Sequence, residues 1–256
     1  MLHHIPPATP PTHIRPLTMP SSIINVENAA RSGSSVFEWQ GECTTHNQPK
    51  LNSSLGVTFA STGNSIWHKM DLQKPHSVDG IVMQGRAKRG GHVEQRVTSV
   101  EIYTSLHPHG DRDYVSHGVY KANQDATPDK QVEIKLRSGP VSAQWVKVVV
   151  LEFHAHPTMR VAVLGSPTPI VVKTALADGT MRLATIGFDV TYENLMTWHI
   201  KPAYPAGVHA LTWVDEDGDT IKIDTDVDWY HCKQVALQAA VAAGTTSRVV
   251  VRLRVG

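Results

Sequence analysis

Between Leu211 and Trp229 the chain reads LTWVDEDGDTIKIDTDVDW, so that Asp215, Glu216, Asp217 and Asp219 set four carboxylates in five residues. Carboxylates at alternate positions suit a hard cation such as calcium, which takes several oxygen ligands. The calcium-loop pattern stops there: its sixth position is Thr220 rather than Gly, its twelfth is Asp226 rather than a bidentate Glu, and the flanks read as strands. A plain β-turn would need only Asp217-Gly218, and clustered like charges repel one another. The reading that uses all of them is recognition of a basic surface. Reinforced by Asp226 and Asp228 at the entrance of the next helix, they form an anionic ridge that pairs with Lys and Arg of a partner, with Trp229 anchoring the helix beneath.

Other reactive residues carry weaker patterns. His107/His109 and His154/His156 are two His-x-His pairs, a spacing that on a strand points both rings to one side for zinc, yet each pair supplies only two ligands and Pro108 and Pro157 put them in or beside loops. Solvated loop histidines are the simpler expectation, with no metal and no cofactor. Asp71, His76 and Ser77 could be written as a catalytic triad, but such residues are common, and no Gly-x-Ser-x-Gly elbow, HExxH helix or phosphate-cradling Gly loop is present. The chain reads as a non-enzyme.

The totals fit this. At 256 residues, 41% apolar and 18% charged, the chain can bury a sizeable core, and its length favours two domains. A formal net charge of +1 argues against general nucleic-acid binding, which needs concentrated Lys and Arg. The basic stretch QGRAKRGGHVEQR, with Arg86, Lys88, Arg89 and Arg96, reads as a solvated loop turning at Gly90-Gly91. Two distant cysteines, Cys43 and Cys232, make no disulfide framework. With no apolar run long enough for a bilayer and no secretory signal, the expected location is cytoplasmic.

Several elements must position these residues. Residues 1–21 are Pro-rich with little apolar periodicity and read as a flexible tail, within which Met19 offers an alternative start. From 22 to 165, short alternating apolar segments (SIWHKMDL, VDGIVMQG, VTSVEIYTS, QVEIKL, QWVKVVVLEF, MRVAVLG) predict a β-sandwich, with Val100, Ile102 and Thr104 on one strand face. A Pro-containing break at 166–169 is the expected linker. From 170 to 256 the order reads ββαββαβ: IVVKTAL and TMRLATIGF turning at Asp178-Gly179, a helix over DVTYENLMTWHI capped by Asp189 or Thr191, strands HALTWVDE and TIKID, a helix with Trp229, Cys232, Val235, Ala236 and Ala239 at helical spacing that stops near Gly244, and a last strand SRVVVRLRV.

Two resemblances follow from particular residues. Trp67, Asp71-Leu72, Val78, Gly80-Ile81, Gln84-Gly85-Arg86, Val97-Thr98-Ser99, Tyr103, Trp145-Val146 and Arg160-Val161 resemble a discoidin domain, the factor V/VIII C-type, galactose-binding-like jelly roll. Asp71 and Arg86 are expected to make structural hydrogen bonds or a buried ion pair. The resemblance implies a ligand, whether sugar, phospholipid head group or protein, held by loops at one end of the barrel, and the residues singled out there are Trp39, His46, Arg89, His154 and His156, with a core or hinge role also open to Trp39. The disulfide that joins the termini of extracellular relatives is missing, which speaks against a cell-surface lectin.

Downstream, Trp213, Asp215-Glu216-Asp217-Gly218-Asp219, Ile221, Ile223 and Thr225-Asp226-x-Asp228-Trp229 resemble the acidic motif of a PB1 domain, a ubiquitin-like ββαββαβ module that associates with other PB1 domains. The same resemblance implies a basic face at Lys173 and Arg182, opposite charges on one domain, and head-to-tail self-association. The fold expected is therefore an all-β discoidin-like sandwich followed by an α+β ubiquitin-like PB1 domain. The expected function is a non-enzymatic intracellular scaffold, extending by its logic to a cytoskeletal structure, whose partner is a PB1-containing protein or a second copy and whose sandwich takes a protein, glycan or lipid. The alternative is a carbohydrate- or phospholipid-binding protein whose PB1 domain recruits one partner.

Overall fold

The computed structural model describes residues 20–34, 49–60, 66–88, 92, 94–107, 113–125, 127, 129–175, 181–204, 207–208, 210–215, 217–243 and 249–255. Of the tail only residues 20–21 fall among them. Met19, Trp39, His46, Arg89, the Gly90-Gly91 turn, His109, Asp178-Gly179, Glu216 and Gly244 lie outside the described residues.

The strands in chain order are β1 (Ser22–Ile24), β2 (Arg31–Gly33), β3 (Val57–Thr58), β4 (Trp67–Gln84), β5 (Arg96–Ser105), β6 (Val115–Lys121), β7 (Val132–Lys135), β8 (Val141–His154) and β9 (Thr158–Pro167). They join as β1-β9-β4-β8-β5-β6, with β2 and β7 also paired to β4 and β3 to β9. The sequence suggests two strands where the molecule has one 18-residue strand, β4. Gln73 takes a positive φ of 62°, and the register against β8 shifts between Asp71 and His76. Such a bulge bends a strand without ending it. Before the bulge β4 pairs with β2 and β8; beyond it β4 pairs with β9 on one side and with β8 and then β7 on the other.

Both halves line one core. Met70 and Leu72 meet Val78, Ile81 and Met83, with Val100, Ile102, Val146, Val148, Val161 and Val163 filling the space between. The second half of β4 is buried on both faces, because Leu51, Val82, Ala162 and Leu164 pack on its other side, which is why its apolar run does not alternate. Gly80 is required by this crowding, since a Cβ there would sit 2.0 Å from the Ile134 carbonyl oxygen.

The remaining elements are β10 (Pro169–Ala175), β11 (Met181–Gly187), α1 (Tyr192–Leu195), β12 (Leu211–Val214), β13 (Thr220–Lys222), α2 (Asp226–Ala242) and β14 (Val249–Val255). They form a second sheet, β11-β10-β14-β12-β13, in which β10 and β14 are parallel and the other pairs antiparallel. Ile170, Val172, Val249, Val251, Leu253 and Trp213 face Leu195, Ile200, Trp229, Cys232 and Leu237 across a separate core. Both helices thus contribute to the core on one sheet face.

Two helix expectations are corrected. Thr191 caps the first helix, its hydroxyl accepting the Asn194 N–H at 3.2 Å, but α1 is a single turn followed by a π turn, Met196–Ile200, and a 3-10 turn, Lys201–Ala203. Pro202 has no N–H to donate and crowds the carbonyl four residues back, so the α ladder cannot run through it. In α2 the buried stripe is Trp229, Cys232, Lys233, Leu237 and Ala240, whereas Ala239 faces solvent. Lys233 sits in that stripe because its ammonium donates to the carbonyls of Phe188 and Val190, at 2.5 and 2.9 Å, and lies over the Phe188 and Trp229 rings.

Candidate functional site

The first sheet brings several connections to one end of the barrel. Arg96 at the start of β5 lies opposite His154 at the end of β8, and Gln84 at the end of β4 opposite Arg160 near the start of β9. Residues 49–60, 85–88, 94–95, 122–125, 129–131 and 155–157 therefore meet there.

Two polar side chains from the strands tie these segments together. Arg160, 1% exposed, donates to the Gly85 carbonyl at 2.9 Å and the Ser53 carbonyl at 3.1 Å, and pairs with Asp129 at 2.8 Å. Gln84, equally buried, accepts the Asn52 N–H at 2.9 Å and donates to the Asp129 carbonyl at 2.7 Å. Arg160 thus ties three segments and Gln84 two, so the rim is held on a rigid base. Burial pulls the Arg160 guanidinium below its ordinary pKa, against the opposing effect of Asp129.

Arg86 lies beside this clamp. Its Nη1 donates to Gln95 Oε1 at 2.8 Å, and the Thr158 hydroxyl approaches the same oxygen at 3.4 Å. Of the two expectations for Asp71 and Arg86, structural hydrogen bonds or a buried ion pair, the contacts are hydrogen bonds: Asp71 accepts from the Gln73 N–H at 2.7 Å and the Gln144 amide at 3.2 Å. Asp71 fixes the bulge and Arg86 the far rim. At that rim His154 is exposed and His156 half-buried, with burial, and then the nearby Arg86 charge, pulling the His156 imidazole below its ordinary pKa.

The histidine pairs lie at opposite ends of the β5–β8 ladder: His107 follows Ser105, which pairs with Trp145, whereas His154 pairs with Arg96. Among the described residues no three His, Cys, Asp or Glu side chains gather closely enough to hold a metal ion. Nor do Asp71, His76 and Ser77 form a relay, since His76 Nδ1 bonds the Lys74 carbonyl at 2.7 Å. Cys232 is buried, and burial pushes its thiol up to about 12.

The acidic run divides by role. Asp215 Oδ1 accepts the N–H groups of Asp217 at 3.1 Å and Asp219 at 2.8 Å, closing a turn in which Gly218 takes a φ of 89°. Asp226 accepts the Tyr192 N–H at 2.5 Å and so ties the start of α2 to the start of α1. Asp228 completes a capping box with Thr225, and that hydroxyl holds its carboxyl below the usual carboxylate range. Asp217 and Asp219 remain as exposed carboxylates beyond these local bonds.

The expected basic pair is corrected. Lys173 lies opposite Leu183 on the sheet face away from the helices, while Arg182 lies opposite Thr174 on the helix side. Lys173 instead shares its face with Arg252, its register partner on β14, and with Arg254. The same face carries Lys222, which pairs with Asp224 at 2.8 Å. No helix among the described residues is long and apolar enough to cross a membrane.

Comparison with curated proteins yields no match. Among solved structures, the chain is similar to discoidin II from Dictyostelium discoideum, with 15% identity and a TM-score of 0.42 over 59% of this chain and 60% of that one. The chain thus spans less than two thirds of that protein. It is similar to the F5/8 type C domain of a Bacteroides fragilis protein, with 12% identity, a TM-score of 0.44, and 56% and 97% of the two chains covered. It is also similar to the family 32 CBM from C. perfringens NanJ in complex with galactose, with 10% identity, a TM-score of 0.38, and 57% and 98% covered. The F5/8 type C domain model matches residues 30–163, more than half of the chain, and this protein belongs to that family.

Proposed function

We propose that this protein is a non-catalytic glycan-binding protein whose ligand sits at the barrel end where residues 49–60, 85–88, 94–95, 122–125, 129–131 and 155–157 meet. Membership of the F5/8 type C family supports a binding role. The observation that carries the location is the clamp of Arg160 and Gln84, which immobilises three of these segments from below. A rim preorganised in this way loses little conformational entropy when a sugar docks. His154 and His156 stand on the rim and supply hydrogen-bonding groups to hydroxyls. Titration of the full chain with galactose, together with a glycan array, tests this reading against His154→Ala/His156→Ala.

A second reading adds a role for residues 170–256, proposed here as a domain of their own. Their ββαββαβ order supports a PB1-like adaptor, and Asp217 and Asp219 on one turn, with Lys173, Arg252 and Arg254 on the outer sheet face, supply surfaces of opposite sign. Such a unit recruits a partner or a second copy in the cytoplasm, and joining it to a glycan-binding module gains avidity. Light scattering across protein and salt concentrations tests it.

A further inference from the structure

The C-terminal sheet has two edges, and they differ. At one, β13 is three residues long and flanked by the Lys222–Asp224 ion pair, the short charged form that resists further pairing. At the other, β11 runs seven residues without proline and pairs, among the described strands, with β10 alone. Its outward N–H and C=O groups have no strand opposite them among the described residues. Met181 and Leu183, 49% and 47% exposed, stand on the outer face beside it.

On the helix side of that edge lies a groove of about 280 Å³, with Arg182 and Ala184 on one wall and Trp198 and Tyr204 on the other. Trp198 is 71% exposed and sits in the π turn that precedes Pro202. An indole this exposed beside an unpaired strand leaves apolar surface in water that a docked segment would cover.

We propose that the β11 edge and the Trp198 groove dock an extended acidic segment of a partner protein by strand addition. Backbone pairing with β11 supplies the affinity, and side chains alternate between the two faces. On the groove side, Arg182 and His199 select carboxylates, while on the outer face Met181 and Leu183 select apolar residues. The recognised segment therefore alternates acidic and apolar positions. A second copy is the wrong occupant, because two such edges would bring together the same cations. The acidic run of this chain does not serve either, since Asp215 folds it into a closed turn.

The test is fluorescence anisotropy on the full chain with a labelled octapeptide alternating Asp and Val. Saturable binding is expected, weakened at least about tenfold by Trp198→Ala and by Arg182→Glu. An octapeptide alternating Lys and Val, and an Asp-Val peptide N-methylated at alternate residues, should not bind. Both substitutions alter exposed side chains, and unchanged melting temperatures verify the fold. Failure of the Asp-Val peptide to saturate, equal binding by Trp198→Ala, or binding that survives N-methylation would each overturn the proposal.

Discussion

Lys173 and Arg182 stand on opposite faces of one sheet, because Lys173 lies opposite Leu183 and Arg182 opposite Thr174. Period-two alternation forces this outcome once the register is set. The outer face belongs to Lys173, Arg252 and Arg254. If charged faces drive association, Lys173→Ala combined with Arg252→Ala should abolish salt-sensitive oligomers in light scattering, and Arg182→Ala should leave them unchanged. Loss on Arg182→Ala alone would count against this division of the cations.

The acidic turn separates stability from recognition. Asp215→Ala removes the acceptor for two backbone N–H groups and should lower unfolding free energy by about 1–2 kcal/mol. Asp217→Ala removes an exposed carboxylate and should change it by less than about 0.5 kcal/mol. Urea denaturation of the two variants, side by side, distinguishes these roles.

His68 should make the barrel acid-sensitive. It is 2% exposed, and burial, then the Arg31 charge, pulls its imidazole down to about 3, while Arg31 donates to its Nε2 at 3.4 Å. The unfolded chain binds the proton near the ordinary value of 6.5, the folded chain only near 3. Stability from this group is therefore complete above pH 6.5 and is lost as pH falls through that window, by up to about 1.4 kcal/mol per pH unit. Denaturation at pH 7, 6, 5 and 4 should show this slope, and His68→Leu should flatten it by up to one proton; an unchanged slope in the variant would remove His68 as its source.

Much of the fold was legible because its signals are periodic. The alternation of Val100, Ile102 and Thr104, the apolar runs of β8 and β9, and a cap at Asp189 or Thr191 need only local geometry. The short strands β1, β2 and β3 carried no such signal, since two or three residues cannot show a period. The segments SIWHKMDL and VDGIVMQG read as two strands because the apolar pattern lapses between them, whereas pairing on both sides carries β4 through the gap. Lys233 was passed over because a lysine at a core position is explained only by the two carbonyls that its ammonium meets. At the candidate site, Gln84, Arg86 and Arg160 were visible as parts of a family pattern, but their division into clamp and rim depends on contacts with Asn52, Ser53 and Asp129 far along the chain. The six carboxylates look alike in the sequence, because nothing in residue type tells a carboxylate that caps a helix from one that meets a partner. Asp226 and Asp228 are bound at home.

The central claim is that the clamped end of the barrel holds a sugar. Its most direct test is calorimetric titration of the full chain with galactose, alongside a glycan array, for the natural protein and for His154→Ala/His156→Ala. Saturable binding that falls at least about tenfold in the double variant, with melting unchanged, is the predicted result. No saturable binding to any arrayed glycan, or binding indifferent to both histidines, would contradict the account.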